Sequence, residues 1–350
     1  MILANWEFVY TRSDEEIRRD FLKLQEKKTS DFVQHVPWTP RSNSPVPVPL
    51  MVFRSVRAGQ FLSEKMHWQH RMKTSTIWCK SGEAVKNGWK RNPELLHLAA
   101  KRIMAVDKRQ LTPDMINYEA IRLNSALTTL THFRAGVSKY FCDTCSAKTV
   151  LDFSAGWGDR LTGFLAAATV QSIDIIDPRP GSIQCCEKQY KFIYPLTKCR
   201  PILTMHQGGA ECVLYLLPSV SFDLIVSSPP YFNLEEYGET DEEAVGQIRK
   251  TVSTVDGYVE QFLRPCMTQC ARLLKPGGKL VINLDDNKRA GLHICKRLLE
   301  VAASVDTLSF VGTAGLRKGN GFGNGIKSQS TTKIEPIYIW TKKKSDQNTS

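Results

Sequence analysis

Five consecutive residues, Ser228, Pro229, Pro230, Tyr231 and Phe232, follow the apolar run Phe222 to Ser227, which has the length and texture of a buried strand. Two prolines at a strand end remove amide donors and fix φ, so the chain must leave the sheet in a stiff loop with carbonyls turned outward. Those carbonyls accept hydrogen bonds from an amino group, and a tyrosine held next in line lays its ring against a flat heterocycle. The chemistry expected of this corner is the holding of a planar, amine-bearing ring.

A second group of residues has the spacing of a nucleotide site. The run Thr149 to Asp152 reads as a strand and leads into Phe153, Ser154, Gly156, Trp157 and Gly158. Glycines at 156 and 158 let the backbone turn where a Cβ would collide with a ligand, and the helix that follows presents free N–H groups. Asp177, 19 residues after Gly158, stands where a βαβ site places its acceptor for ribose hydroxyls. Glu211, behind a third strand and Gly208-Gly209, is placed to meet the base of an adenosine. Taken singly, Asp177 and Glu211 read equally well as first-turn helix acids.

These residues need a scaffold that brings strand ends together. TVLDFSAG, SIDIID, PILTMH, FDLIVSS, KLVINLDD, TLSFVGT and EPIYIWTK alternate with helical stretches, and strands apolar throughout imply a mostly parallel sheet covered on both faces. The fold class expected is α/β, doubly wound, with the last two runs forming a hairpin that adds an antiparallel strand. The glycine-rich break between them, with Arg317, Lys318 and Lys327, reads as a closing loop or a solvated turn.

The first third has a different texture. Residues 12 to 28 predict an amphipathic helix with Ser13 as N-cap and Glu16 completing a capping box. Pro37, Pro40, Pro45, Pro47 and Pro49 predict an extended linker or edge segment. Between Arg54 and Gln110, thirteen Lys or Arg face four acids, which concentrates most of the net charge of +12. Lys65, Arg71, Lys73, Lys80, Lys86, Lys90 and Arg91 interleave with Trp68, Trp78 and Trp89, a pattern that tracks a phosphate backbone and stacks bases. Taken singly, each tryptophan reads first as core of a small helical subdomain with a solvated basic face. The domains expected are 1–53 (helix and proline-rich linker), 54–125 (basic accessory region), 126–344 (catalytic α/β domain) and 345–350 (a disordered tail).

Composition excludes several classes. Hydrophobic residues at 42% and charged residues at 23% are globular values. The sequence offers neither a signal peptide nor an apolar run of spanning length, and ten cysteines in 350 residues are too sparse for a disulfide scaffold. An intracellular protein is expected. Cys142 and Cys145 have zinc-ligand spacing without a second pair, so no metal is expected.

The segments at 133–141, 150–161 and 228–237 together resemble one family. SPPYF is similar to the fourth motif, [DNS]-P-P-[YFW], of the nucleic-acid amino-methyltransferases that make N6-methyladenine or N4-methylcytosine. VLDFSAGWGDRL resembles their first motif, and FRAGVSKYF the cofactor-binding helix before it. The order of these with Lys275-Pro-Gly-Gly278 and Glu335-Pro336-Ile337 is most like that of phage and large-virus DNA methyltransferases. The resemblance covers roughly residues 126–343. It implies a Rossmann-like class I methyltransferase sheet and S-adenosyl-L-methionine as cofactor. It further implies the ribose on Asp177, the adenine near Glu211, the methionine end on Asp152 and Arg134, and a target base on Tyr231 with its amine held by Ser228 and Pro229. Ser154 replaces the usual phenylalanine of the turn, so Phe153 or Trp157 is expected to shield the methionine end. Adenine and cytosine, and DNA and RNA, stay open at this point. So do a glutamine side-chain amide as acceptor and an inactive nucleic-acid-binding subunit.

Overall fold

Strands of alternating facing and helices between them assemble, in the computed structural model, around one sheet. Residues 12–34, 49–54, 56–72, 75–76, 98, 101, 133–232, 235–236, 246–286, 293–317 and 334–344 are described. The strands are β1 (Val33–Gln34), β2 (Pro49–Phe53), β3 (Ser75–Thr76), β4 (Thr149–Asp152), β5 (Ser172–Asp177), β6 (Ile202–Gln207), β7 (Phe222–Ser227), β8 (Glu235–Glu236), β9 (Leu274–Asn283), β10 (Leu308–Arg317) and β11 (Ile334–Lys342). Described helices of eight residues or more are α1 (Asp14–Glu26), α2 (Gln60–Met72), α3 (Ala135–Cys145), α4 (Asp159–Ala166), α5 (Pro180–Ile193), α6 (Arg264–Leu273) and α7 (Ile294–Ala303).

Nine of the strands form one sheet in the order β1-β2-β10-β11-β9-β7-β4-β5-β6. From β9 to β6 all neighbours are parallel, whereas β11 runs antiparallel to both β9 and β10. The expected doubly wound α/β sheet with an antiparallel C-terminal strand is what forms. The chain leaves β4 toward β5 and β6, then returns to build β7 and β9 on the other side. The carboxyl ends of β4 and β7 therefore meet at the point where strand order reverses, the usual ligand crevice of such sheets.

Side-chain alternation divides the core in two. Leu151, Ile225, Leu280 and Ile282 face a cluster closed by α6 and α7, while Val150, Leu224, Val226 and Val281 face one closed by α3 and α4. Ile17, Phe21, Leu24, Phe32, Phe53 and Leu62 join the second cluster. Each such side chain contributes about 1.5–3 kcal/mol when fully buried. Residues before 72 are thus part of what stabilises the sheet, and the packing crosses the division placed at residue 53. Of the proline-rich segment expected as a linker or edge, Pro49 alone is described; it opens β2, which lies inside β1 at the sheet margin and pairs parallel with β10 through Thr313↔Pro49 to Leu316↔Phe53.

The predicted capping box forms: the Ser13 amide donates to Glu16 at 2.8 Å and the Glu16 amide to the Ser13 hydroxyl at 3.2 Å. One turn further on, buried Asp20 accepts the Phe61 amide at the start of α2, at 3.2 Å, and so joins α1 to α2. Burial pushes the Asp20 carboxyl up to about 6 from an ordinary 3.8, against the opposing pull of amide donors. Between those values the folded chain binds more protons than the unfolded one, so stability falls as pH rises through that window. An Asp20→Asn protein, whose amide oxygen still accepts from Phe61, is expected to lose this slope and to be up to ~3 kcal/mol more stable at pH 7 and above. Urea unfolding at pH 4.5 and 7.5 reads this directly, and an unchanged slope would contradict it.

Candidate active site

The turn after β4 is built by two glycines in the left-handed region, Gly156 at φ 57° and Gly158 at φ 70°. A Cβ on Gly158 would stand 2.2 Å from the Gln189 Oε1 atom, so no larger residue fits without displacing that buried amide. Gln189 fixes the turn by donating to the Gly158 carbonyl at 2.7 Å and to the Thr162 hydroxyl at 2.6 Å. From the next strand, one Asp177 oxygen accepts the Gly156 amide at 2.8 Å and the other accepts the Arg179 amide at 3.0 Å. The acid at the end of β5 thereby holds the glycine turn in register. The Arg179 guanidinium lies 4.8 Å from the Trp157 ring centre.

Beneath the turn sits a buried ion pair. Arg160 Nε donates to Asp152 Oδ2 at 2.7 Å, and Asp152 Oδ1 accepts the Ser154 amide at 3.1 Å and the Ser227 hydroxyl at 2.9 Å. The guanidinium also donates to the Ser154 carbonyl and lies 5.1 Å from the Phe133 ring centre. Burial raises the Asp152 carboxyl above its ordinary range even though Arg160 opposes it. Ser227 ends β7, so this pair ties the glycine turn to the strand that carries the proline corner.

That corner is held at both ends. Tyr258, fully buried, donates its hydroxyl to the Pro230 carbonyl at 2.6 Å, and Phe232, at φ 56°, is buried with its ring 5.7 Å from that of Tyr258. Between them, Tyr231 donates its hydroxyl to Glu335, and its oxygen lies 3.2 Å from Asn283 Oδ1. Burial, and then the Glu335 carboxylate, push the Tyr231 phenol well above its ordinary range, so it stays a proton donor. Gly156 of the turn, Arg160 of the ion pair and the proline corner border one cavity at the carboxyl edge of the sheet. Its wall runs from Glu211 and Asp177 through Gly156 and Trp157 to Ser228, Pro229 and Tyr231, then to Asn283 and Glu335. In sheet order, a β5–β6 half offers two carboxylates beside a glycine turn. A β9–β11 half offers oxygen acceptors beside an aromatic ring. Glu211 is pushed up by burial.

The model of the N6/N4 methyltransferase family, described as DNA methylase, matches residues 222–349. The Type II methyltransferase M.Cfr9I of Citrobacter freundii is 34% identical over 91 residues, 25% of this chain and 27% of that protein, so the match spans about a quarter of the relative. Similar solved structures include a putative rRNA methylase from Clostridium thermocellum (12% identity, 62% of this chain and 99% of that one, TM-score 0.38). Another is the N-methyltransferase NodS of Bradyrhizobium japonicum with S-adenosyl-L-homocysteine (13% identity, 59% and 84%, TM-score 0.38). Likeness this distant carries no inference.

The matched segment starts at β7 and holds the Ser228–Phe232 corner, Asn283 and Glu335; the glycine turn precedes it. Of the cofactor residues expected from sequence, Phe153, Ser154, Gly156, Trp157, Asp177 and Glu211 line the cavity, as do all five corner residues. Gly158 stands behind the turn as the N-cap of α4. Asp152 is fully buried outside the lining, and Arg160, which it holds, lines the cavity in its place. Arg134 also lies outside the lining, and its guanidinium donates to the Arg54 carbonyl at 3.0 Å. Arg160, Asn283 and Glu335 are among the lining residues sequence reasoning missed, as are Asp159, Arg179 and Gln247. Arg160 stood inside the quoted motif and Glu335 opened the quoted closing strand, so both signals were present.

Among the polymer contacts expected from sequence, Lys65 is on α2 with its ammonium paired to Asp14. Arg71 is on the same helix, with its side chain outside the described residues. Lys73, Lys80, Lys86, Lys90 and Arg91, with Trp78 and Trp89, lie outside the described residues. Of the glycine-rich break, residues up to Arg317 are strand β10, and Lys318 and Lys327 lie outside. Among the described residues, no cluster of His, Cys, Asp or Glu is arranged to hold a metal ion, and no helix is long and apolar enough to cross a membrane.

Proposed function

We propose that this chain is an S-adenosylmethionine-dependent methyltransferase acting on the exocyclic amine of a base in nucleic acid. Adenine N6 is the first candidate and cytosine N4 the second, since Ser228 suits both. DNA comes ahead of RNA on the family match of residues 222–349. The observation that carries the reading is that Tyr231 and Ser228 border the same cavity as Gly156, Asp177 and Glu211.

The β5–β6 half fits the cofactor. Left-handed glycines clear space over the turn, Asp177 and Glu211 supply acceptors for ribose hydroxyls and an adenine amine, and Arg160 supplies a cation for a carboxylate. When bound there, S-adenosylmethionine supplies an electrophilic sulfonium methyl.

In the other half, a base that is flipped out or already single-stranded stacks on Tyr231, and the Ser228 hydroxyl and Pro229 carbonyl accept its amine hydrogens. The amine lone pair is delocalised into the ring, so the base is a weak nucleophile. Ser228 and Pro229 turn that lone pair toward the donor. Fixed orientation of this kind supplies on the order of 7–11 kcal/mol in favourable cases. The basic stretch within 54–125, including Arg71, Lys73, Lys80, Lys86, Lys90 and Arg91, is proposed to hold the polymer backbone. Lys65 belongs to this group by sequence, and its pairing with Asp14 spends its charge on joining α1 to α2.

Incubation with methyl-labelled cofactor and, separately, duplex DNA, single-stranded DNA and RNA tests the polymer. Label is expected in DNA. Label in RNA alone would overturn the DNA preference. Label in no nucleic acid, from protein that binds the cofactor, would overturn the function.

A further inference from the structure

One face of α2 is buried against the back of the glycine turn, and that face is polar. Ser63, His67 and His70 recur at the i, i+4, i+7 spacing of a single helix face, and the first two are fully buried. A buried helix face is ordinarily apolar, and burying polar groups costs stability unless partners meet them. The partners here stand around the cofactor half. Ser63 donates its hydroxyl to Asp159, the first residue of α4. His67 holds its Nε2 atom 3.9 Å from the Cys186 sulfur on α5, and its ring meets that of Trp157 at 80°, with 6.0 Å between centres. A Cβ on Gly158 would stand 3.1 Å from the same nitrogen, and one on Gly181 would stand 2.5 Å from the His70 ring. The helix therefore touches the start of α4, the turn and the start of α5.

Asp159, which Ser63 holds, is only 4% exposed and lines the cavity beside Arg160. The methionine end of the cofactor is a zwitterion, with an ammonium and a carboxylate on one carbon. Arg160 supplies the cation for its carboxylate, and an acid is needed for its ammonium. Asp152, expected in that role from sequence, lies outside the lining, with its oxygens engaged by Arg160, Ser154 and Ser227. Four carboxylates stand in the wall: Asp159, Asp177, Glu211 and Glu335. Asp177 and Glu211 are placed for ribose and adenine, and Glu335 reaches the substrate half from β11. Asp159 is the acid beside the cation.

We infer that Asp159 takes the methionine ammonium of the cofactor and that Ser63, from α2, is its positioning residue. A hydrogen bond to one carboxylate oxygen stops the group from rotating, so the carboxylate is already oriented when the ammonium arrives. The N-terminal helix α2 thus forms part of the cofactor site. The inference rests on the reading of the β5–β6 half as that site.

Calorimetric titration of the full chain with two probes tests it. S-adenosyl-L-homocysteine carries the whole amino-acid end, whereas methylthioadenosine keeps the adenosine and the sulfur and lacks that end. Asp159→Asn keeps the shape and removes the charge, and Ser63→Ala removes the hydroxyl. Asp159→Asn is expected to weaken S-adenosyl-L-homocysteine binding by about 10- to 100-fold and Ser63→Ala by about 10-fold. Both variants should bind methylthioadenosine as the wild type does, which also reports that they are folded. The double variant should bind S-adenosyl-L-homocysteine no more weakly than Asp159→Asn alone, because Ser63 acts through Asp159. Wild-type affinity for S-adenosyl-L-homocysteine in Asp159→Asn, or equal losses for the two probes, would overturn the ammonium assignment. Losses that multiply in the double variant would overturn the role of Ser63. A wild-type protein that binds neither probe would overturn the cofactor reading itself.

Discussion

A Tyr231→Ala protein is expected to bind S-adenosylmethionine as the wild type does and to transfer methyl groups at least 100-fold more slowly. The ring contributes in two ways. Stacking of one base on an aromatic side chain is worth about 1–3 kcal/mol. The rest of the loss comes from orientation, because a base without its platform no longer holds its amine at Ser228 and Pro229. Ser228→Ala keeps the platform and removes one acceptor, so its expected loss lies in kcat and is about 10- to 100-fold. The cofactor half is borne by β4, β5 and β6, and Tyr231 follows β7, so calorimetric titration with cofactor should give wild-type affinity for both variants. Either variant transferring at the wild-type rate would sink the assignment of the corner.

Removing Arg160 is expected to have the second large effect, on stability and cofactor binding together. Its guanidinium pairs with a fully buried carboxylate at 2.7 Å and braces the Ser154 carbonyl from below. Arg160→Met leaves Asp152 buried without its counter-charge, a change that costs about 3–5 kcal/mol. The folded protein already raises the Asp152 carboxyl, and losing the cation raises it further. A carboxyl raised on folding costs stability as pH rises, so the variant should be closer to wild type at pH 5 than at pH 8. The Asp152→Asn/Arg160→Met pair should recover stability and still bind cofactor poorly. Equal unfolding midpoints of Arg160→Met and wild type at pH 8 would contradict this account of the pair.

How far the sequence carries depends on the range of the interaction. The central strands β4 and β7 are legible because burial on both faces makes each a largely apolar run, whereas edge strand β6 is half-exposed and is read from its place in the alternation of strands and helices. The glycine turn and the proline corner are legible because φ > 0 and a missing amide each demand a particular residue type. The pairing of Pro49–Phe53 with β10 joins segments some 260 residues apart, and nothing local in either segment names the other. The same holds for Glu335 beside Tyr231, 104 positions apart. Asp152 and Arg160 show a different limit. An acid at the end of the first strand and an arginine eight positions on read as separate groups in sequence. Only packing shows that they neutralise each other and that Arg160 is the one facing the cavity.

The central claim is that Ser228, Pro229 and Tyr231 present a base amine to a methyl donor. The most direct measurement is to digest nucleic acid methylated by the purified protein to nucleosides and locate the methyl group by mass fragmentation against standards. Methyl on the exocyclic nitrogen, as N6-methyladenine or N4-methylcytosine, is the result expected. Methyl on a ring nitrogen, a ring carbon or a sugar oxygen would contradict it.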